Sequence, residues 1–134
     1  MIDHRVMSYV YLARFLWLLG FPAQAMRAAE AVVEEAHAAD HTLSVCYALA
    51  VAACPVALLT GNLNAMERYV RMLLAWSARS ADISLKRFLA WAHSYQGALT
   101  IGQGDSVGGI RLVRAGFDEY REGRFSIFRS SHSN

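Results

Sequence analysis

The stretch Leu18–Ala25 reads LLGFPAQA, and it decides the fold because it ends one helix and begins another within a few residues. Gly20 follows an apolar helical run, and Pro22 suits the first turn of the next helix. A glycine between two helix-like runs recurs at Gly61 and at Gly104, after spacings of 41 and 43 residues. A period of this length indicates a helical repeat array, in which each unit buries its apolar face against its neighbours.

Length and composition indicate one compact helical domain. The chain has 134 residues, of which 55% are hydrophobic and 18% charged, a balance unlike that of a disordered protein. The formal charge of +2 and the scattered basic residues give no electrostatic support for nucleic-acid binding, so we expect no nucleic acid bound directly. Cys46 and Cys54 lie about 12 Å apart on one predicted helix, too far to form a disulfide. Free thiols and the lack of a clean secretory signal predict a cytoplasmic protein.

Apolar periodicity predicts six helices in a single domain that ends at residue 123. They pair as three antiparallel hairpins, at residues 5–39, 41–79 and 82–122. The first helix runs from residue 5 to 19, and its expected core face is Leu12, Phe15, Leu16 and Leu19. The second helix runs to residue 39, with an apolar stripe of Ala25, Ala29, Val32, Val33 and Ala36.

The third predicted helix is apolar enough that a membrane-spanning helix must be considered. It runs to about residue 60, with Asp40 or Thr42 as its cap and a kink near Pro55. No Asp, Glu, Lys or Arg occurs from His41 to Met66. The apolar part is shorter than the roughly 20 residues that a membrane helix needs, and it carries an internal proline. We therefore expect a central buried helix and no membrane partner.

The fourth helix begins at Asn62 or Asn64 and ends near residue 79, with an expected core face of Met66, Tyr69, Val70, Leu73, Leu74 and Trp76. The fifth helix runs from Ser80 or Asp82 to residue 101. The sixth is capped by Asp105 and ends near residue 121. Glycines near its start predict a frayed first turn unless close packing requires them. Residues 124–134 are predicted to be an incomplete next helix and a disordered tail.

Aligning the three hairpins by their turn glycines brings small residues into register. Seven positions before each glycine lie Ala13, Cys54 and Gly97. Five positions after come Ala25, Met66 and Gly109, and twelve after come Val32, Leu73 and Gly116. Small side chains at these positions allow the two helices of a hairpin to approach closely.

This register resembles that of the tetratricopeptide repeat, over roughly residues 5 to 122. The resemblance implies an all-α superhelix, a solenoid of three antiparallel hairpins whose first helices line a concave face. The repeat here is longer than usual, the helix-end proline is missing, and Met66 replaces a small residue, which predicts a splayed middle hairpin. LLGFPAQA and the stretch from Trp91 to Ile110 resemble in particular the long repeats of large bacterial regulators that carry an ATPase or cyclase-like module.

The residues offer little chemistry. Glu34, His37 and His41 have a metal-ligand spacing, but a single helix end supplies no further ligands, so a solvated polar face is expected. His93 is expected to be packed and hydrogen-bonded, and both cysteines to be buried with raised thiol pKa values. We therefore predict no catalytic residue, metal or cofactor, and no enzyme.

A helical repeat with little chemistry predicts an interaction scaffold, with a peptide or partner helix bound on the concave face. The repeat register gives the expected lining residues, with Arg14 as the charged anchor: Val10, Arg14, Trp17, Val51, Leu58, Trp91, Ser94 and Ala98. The alternative is a small-molecule-sensing segment of a transcriptional regulator. Because the array lacks recognisable polar caps and its first helix is apolar over most of its surface, we also expect a homodimer or higher oligomer.

Overall fold

The computed structural model describes residues 4–79 and 85–132, with the side chains of residues 5–79 and 85–122. The protein is all-α, and the described part contains six helices and no strand. In chain order they are α1 (His4–Leu18), α2 (Pro22–Ala38), α3 (Thr42–Leu59), α4 (Leu63–Ser77), α5 (Lys86–Gly102) and α6 (Ser106–His132). Helices adjacent in the chain pack against one another, and α3 also contacts α1 and α5. The all-α fold class is therefore confirmed.

The three turn glycines have the role that their spacing predicts. Gly20, Gly61 and Gly104 have φ angles of 87°, 72° and 104°, in the left-handed region. The N–H after each glycine donates to a carbonyl five residues back, in the pairs Phe21 to Leu16, Asn62 to Ala57 and Asp105 to Thr100. This is the Schellman ending of a helix. A Cβ added at any of the three would meet nothing within 4 Å, so backbone conformation rather than space requires glycine there.

The turn between α2 and α3 is made differently. Asp40 takes the left-handed conformation, with φ 51°, and His41 occupies the position that precedes α3. His41 Nδ1 lies 2.7 Å from Ser44 Oγ, and no side chain caps the helix. The prediction that Asp40 or Thr42 caps this helix is wrong, because Asp40 belongs to the turn and Thr42 is already helical. The predicted caps Asn62 and Asp105 are confirmed, with their Oδ1 atoms accepting from Ala65 N at 3.1 Å and Gly108 N at 2.9 Å.

The core face of α2 is the predicted stripe, with all five of its members buried. On α1, however, the buried residues are Val6, Val10 and Ala13. Leu12, Phe15 and Leu19 are exposed, so three of the four predicted core residues lie on the wrong side. Because α1 is apolar on both sides, periodicity alone did not distinguish its inner face from its outer face.

Helices α5 and α6 cross in close contact at their glycines. A Cβ on Gly97 would come within 2.6 Å of the carbonyl oxygen of Gly109, and one on Gly116 within 2.8 Å of the carbonyl oxygen of Ala90. The paired residues run in opposite directions along the two helices, as in an antiparallel hairpin. The predicted contact between small residues is therefore confirmed here, and Gly109 is buried in a helical first turn.

The end of the chain differs from its prediction. The sixth helix does not stop near residue 121 but continues as α6 through Gly123 to His132. A glycine inside a helix costs only about 1 kcal/mol relative to alanine, which a 27-residue helix tolerates. Residues 125–128 thus continue α6 rather than start a new helix, and 129–132 are helical. The predicted starts of the fifth helix, Ser80 and Asp82, and the last two residues lie outside the described residues.

The central helix α3 is long and apolar enough to cross a membrane. Thr42–Leu59 has a mean hydropathy of 2.1, but 61% of it is buried inside the protein. A core helix that is covered by its neighbours fits a soluble protein.

Candidate binding groove

The middle of α3 departs from regular α-helix. Leu49–Ala53 forms a π-helical segment, and the Cys54 N–H donates to the Leu49 carbonyl, five residues back rather than four. The next residue, Pro55, has no N–H. The Ala50 carbonyl therefore lacks both of its possible helical donors, the N–H of Cys54 and that of Pro55. The distortion predicted near Pro55 takes the form of this π segment, just before the proline.

The Ala50 carbonyl finds its donor on another helix. The hydroxyl of Tyr95, on α5, donates to the Ala50 oxygen at 2.6 Å. An unpaired buried carbonyl is costly, so this bond both satisfies the π segment and joins α3 to α5. Burial raises the pKa of Tyr95, with the nearby charge of Arg14 opposing the rise. The hydroxyl consequently stays protonated and remains a donor at physiological pH.

A cavity of about 260 Å³ lies against the π segment. Its walls come from α1, α3 and α5, and they are mostly apolar. The lining residues are Arg14, Trp17, Leu18, Ala50, Val51, Pro55, Val56, Leu59, Trp91 and Tyr95. We call this space the first cavity.

A second cavity of about 340 Å³ adjoins the first, because both are lined by Trp91 and Tyr95. Its remaining walls come from α3, α5 and α6, and they are Leu58, Ser94, Ala98, Val113 and Phe117. We call the two cavities together the groove. Trp91 is held in place between them by edge contact with Phe88 and by stacking on Tyr120, with ring centroids 6.0 and 6.2 Å away.

Seven of the eight lining residues expected from the sequence lie on the groove. Arg14, Trp17 and Val51 line the first cavity, Leu58, Ser94 and Ala98 line the second, and Trp91 lines both. Val10 does not belong to this set, because it is fully buried in the core between α1 and its neighbours.

The contribution of α6 to the groove was not predicted from the sequence. The repeat register assigned the lining to the first helix of each hairpin, whereas Val113 and Phe117 come from the second helix of the third hairpin. The glycine crossing brings α6 close enough to α5 for these side chains to reach the groove. The signal was present in the paired glycines, which indicate close approach but not which side chains project past the crossing.

Arg14 is the one charged residue among the lining residues of the groove. Within the described part of the chain it has no ion pair, unlike Arg68, Arg71 and Arg79, which each lie within 4 Å of a carboxylate. An arginine beside tryptophan and tyrosine walls presents a fixed positive charge next to an apolar surface. The groove therefore suits an apolar group with a negative or acceptor atom nearby.

The described cysteine and histidine side chains, which could in principle take part in catalysis, are buried or in contact with other side chains. Cys46 and Cys54 are free and buried, and burial raises the pKa of Cys46 to about 12 and that of Cys54 as well, as expected. His37 packs edge-on against Trp76, and His93 Nδ1 lies 2.8 Å from the carboxylate of Glu119. Among the side chains of residues 5–79 and 85–122, no three His, Cys, Asp or Glu groups cluster as metal ligands do. The lining residues of the groove include no nucleophile placed beside a base.

Comparison with known proteins adds no identification. No family model matches the chain, and searches of curated proteins and of solved structures found no match. The resemblance to the tetratricopeptide repeat therefore remains a prediction from the sequence pattern. A proposal about the function of this chain must therefore be argued from the residues and geometry of the groove.

Proposed function

We propose that this protein is a non-catalytic interaction scaffold whose groove binds an apolar segment of a protein or peptide partner. The observation that carries the proposal is the pair of apolar cavities that share Trp91 and Tyr95 as lining residues. Two side-chain pockets in a row suit successive apolar residues on one face of a partner helix. Arg14, at the first cavity, fixes the direction of such a segment by its charge.

The resemblance of the chain to tetratricopeptide repeats supports the same proposal, because stacked helical hairpins offer extended surfaces for partners. Its likeness to the long repeats of bacterial regulators supports a place in a bacterial signalling or transcription regulator, acting in the cytoplasm. In this proposal the chain supplies recognition and no chemistry, with no cofactor, metal, membrane or nucleic acid as its direct partner.

The alternative is a small-molecule-sensing segment of such a regulator. Each cavity favours it by size, since 260 and 340 Å³ lie close to the roughly 300 Å³ at which ligand pockets begin. A small molecule would occupy one cavity alone, whereas a partner segment would occupy both. This difference makes the two proposals separable.

The test selects peptides from a displayed library on the purified chain and measures their affinity for variants at the two ends of the groove. Trp17→Ala removes a wall of the first cavity and Phe117→Ala a wall of the second. Each should weaken a bound segment by about tenfold or more, the loss typical of a buried aromatic anchor. Val107→Ala is the matched control, since Val107 is an exposed apolar residue of α6 outside the groove.

A selected peptide that only one of the two aromatic variants weakens would occupy one cavity alone, which would contradict a segment that spans the groove and would favour a small ligand. Binding that both aromatic variants leave unchanged would contradict the proposed groove. Circular dichroism of each variant checks that the helices are retained.

A further inference from the structure

The outer side of α1 carries a second apolar stripe. Its members are 46% to 69% exposed, and they are Tyr11, Leu12, Phe15, Leu18 and Leu19. The residues that join α1 to the core lie on the opposite side of the helix, about half a turn away, and they are Val6, Val10 and Ala13. We call the exposed set the α1 stripe. A surface helix normally has one apolar side, so a second one indicates a further contact.

The positions of the α1 stripe are symmetric about Phe15. Tyr11 and Leu19 lie four residues before and after it, and Leu12 and Leu18 lie three before and after. When two copies of a helix cross antiparallel on a two-fold axis, residues at equal distances on either side of the axis meet. With the axis at Phe15, Tyr11 meets Leu19 of the partner subunit, and Phe15 meets its own counterpart. The stripe can therefore pack against its own copy across a two-fold axis.

The surface area fits a dimer of ordinary size. Two aromatic and three leucine side chains at these exposures present roughly 500 Å² of apolar surface per copy. A stable interface takes about 800 Å² from each partner, around an apolar centre with a polar rim. The α1 stripe thus supplies the centre, and its neighbours on α1 supply the rim.

The charges beside the α1 stripe do not oppose this contact. Arg5 lies at one edge, where its guanidinium is 3.5 Å from the Glu35 carboxylate. Arg14 lies at the other edge, and the same axis places it opposite Leu16 of the partner subunit rather than opposite another arginine. The stripe itself contains no charged residue.

We propose that two copies of this protein associate through the α1 stripe, as a two-fold symmetric dimer with Phe15 on the axis. The contact is separate from the proposed function, because the groove and the α1 stripe share only Leu18. A head-to-tail contact with the exposed Val107 and Ile110 of α6 is the competing arrangement, and it would not be limited to two copies.

Sedimentation equilibrium of the purified chain tests the proposal, with a dimer expected at concentrations of about 100 µM. Phe15→Glu places two like charges on the axis, and the dimer should weaken by about 100-fold, giving a monomer. Leu12→Glu/Leu19→Glu should act in the same way at the edges of the stripe. The matched control Val107→Glu/Ile110→Glu adds charge to an equally exposed apolar site and should leave the dimer intact.

Crosslinking identifies the axis directly. Phe15→Cys should form a disulfide-linked dimer on mild oxidation, because a residue on a two-fold axis lies beside its own copy. The native thiols do not interfere, since Cys46 and Cys54 are buried. A wild-type monomer at the same concentration would overturn the proposal. Loss of association in the α6 control, or a mass that keeps growing beyond two copies, would overturn it in favour of head-to-tail stacking.

Discussion

The third hairpin and the middle helix bring neighbouring helices together in opposite ways. At the crossing of α5 and α6, Gly97 and Gly116 remove side chains, so that backbone meets backbone. In α3 the side chains are retained, but the backbone hydrogen bonds follow the π-helical pattern, and the Ala50 carbonyl accepts its hydrogen bond from the Tyr95 hydroxyl. The close approach at the glycines depends on residue size, which can be read directly from the sequence. The contact between α3 and α5 depends on a backbone carbonyl that has no helical donor. Its donor can be identified only once the position of α5 is known.

The difference also separates effects on folding from effects on the groove. The glycine crossing is closed and intolerant of added atoms, whereas the π segment borders the first cavity. π segments in helices occur often at functional sites, since they place backbone and side chains where a regular helix does not. We therefore expect substitutions at the crossing to affect mainly folding, and substitutions around the π segment to affect stability and the groove together.

The largest expected effect on the free energy of unfolding is at the crossing of α5 and α6. Gly97→Val places atoms against the backbone of Gly109 and Val113, where the added Cβ alone has contacts of 2.6 to 2.7 Å. We expect a loss of about 3 kcal/mol or more in the free energy of unfolding, measured by urea denaturation. Gly104→Ala is the matched control, because that site has free space and only a positive φ, and it should cost about 1 to 2 kcal/mol. Equal losses for both glycines would show that the crossing is not tight.

A smaller effect is expected at the π segment. Tyr95→Phe removes the hydroxyl that donates to the Ala50 carbonyl and should lower the free energy of unfolding by about 1 to 3 kcal/mol. Tyr120→Phe is the control, since the Tyr120 ring stacks on Trp91 and its hydroxyl has no bond in the described part of the chain. Urea denaturation of both variants checks the difference. A Tyr95→Phe protein as stable as the control variant would mean that the carbonyl needs no side-chain donor.

The smallest expected effect is alkaline destabilisation centred on α3, which carries both cysteines. Burial raises the pKa of Cys46 from 9.0 to about 12 and also raises that of Cys54. The thiols of the unfolded chain lose their protons at lower pH than the buried thiols do. The free energy of unfolding is therefore unaffected by the thiols below about pH 9 and falls as the pH rises towards 12. We expect a loss of about 1 kcal/mol per thiol at pH 10. Cys46→Ala should reduce this loss, and an unchanged pH dependence would contradict burial of that thiol.

Much of the fold could be predicted from the sequence, because it depends on local features. Turn glycines, the caps Asn62 and Asp105, and the stripe on α2 each follow from neighbours a few residues away. The face of α1 could not be predicted, since both of its sides are apolar and only the packing of the whole array decides which is buried.

The groove could be predicted in part. The register of the hairpins located seven lining residues, because equivalent positions in stacked units share a surface. Val10 was misplaced because its neighbours in space, not its register, bury it. The bond of Tyr95 to a carbonyl 45 residues away is a tertiary contact that no local pattern encodes.

One measurement tests the central claim most directly, namely that Pro55 leaves the Ala50 carbonyl without a helical donor and Tyr95 replaces that donor. It is a double-mutant cycle of Pro55→Ala and Tyr95→Phe, followed by urea denaturation. Alanine at position 55 restores a backbone N–H that can reach the carbonyl. We predict that Tyr95→Phe then lowers the free energy of unfolding by about 1 kcal/mol less than it does in the native background. An equal cost in both backgrounds would contradict it.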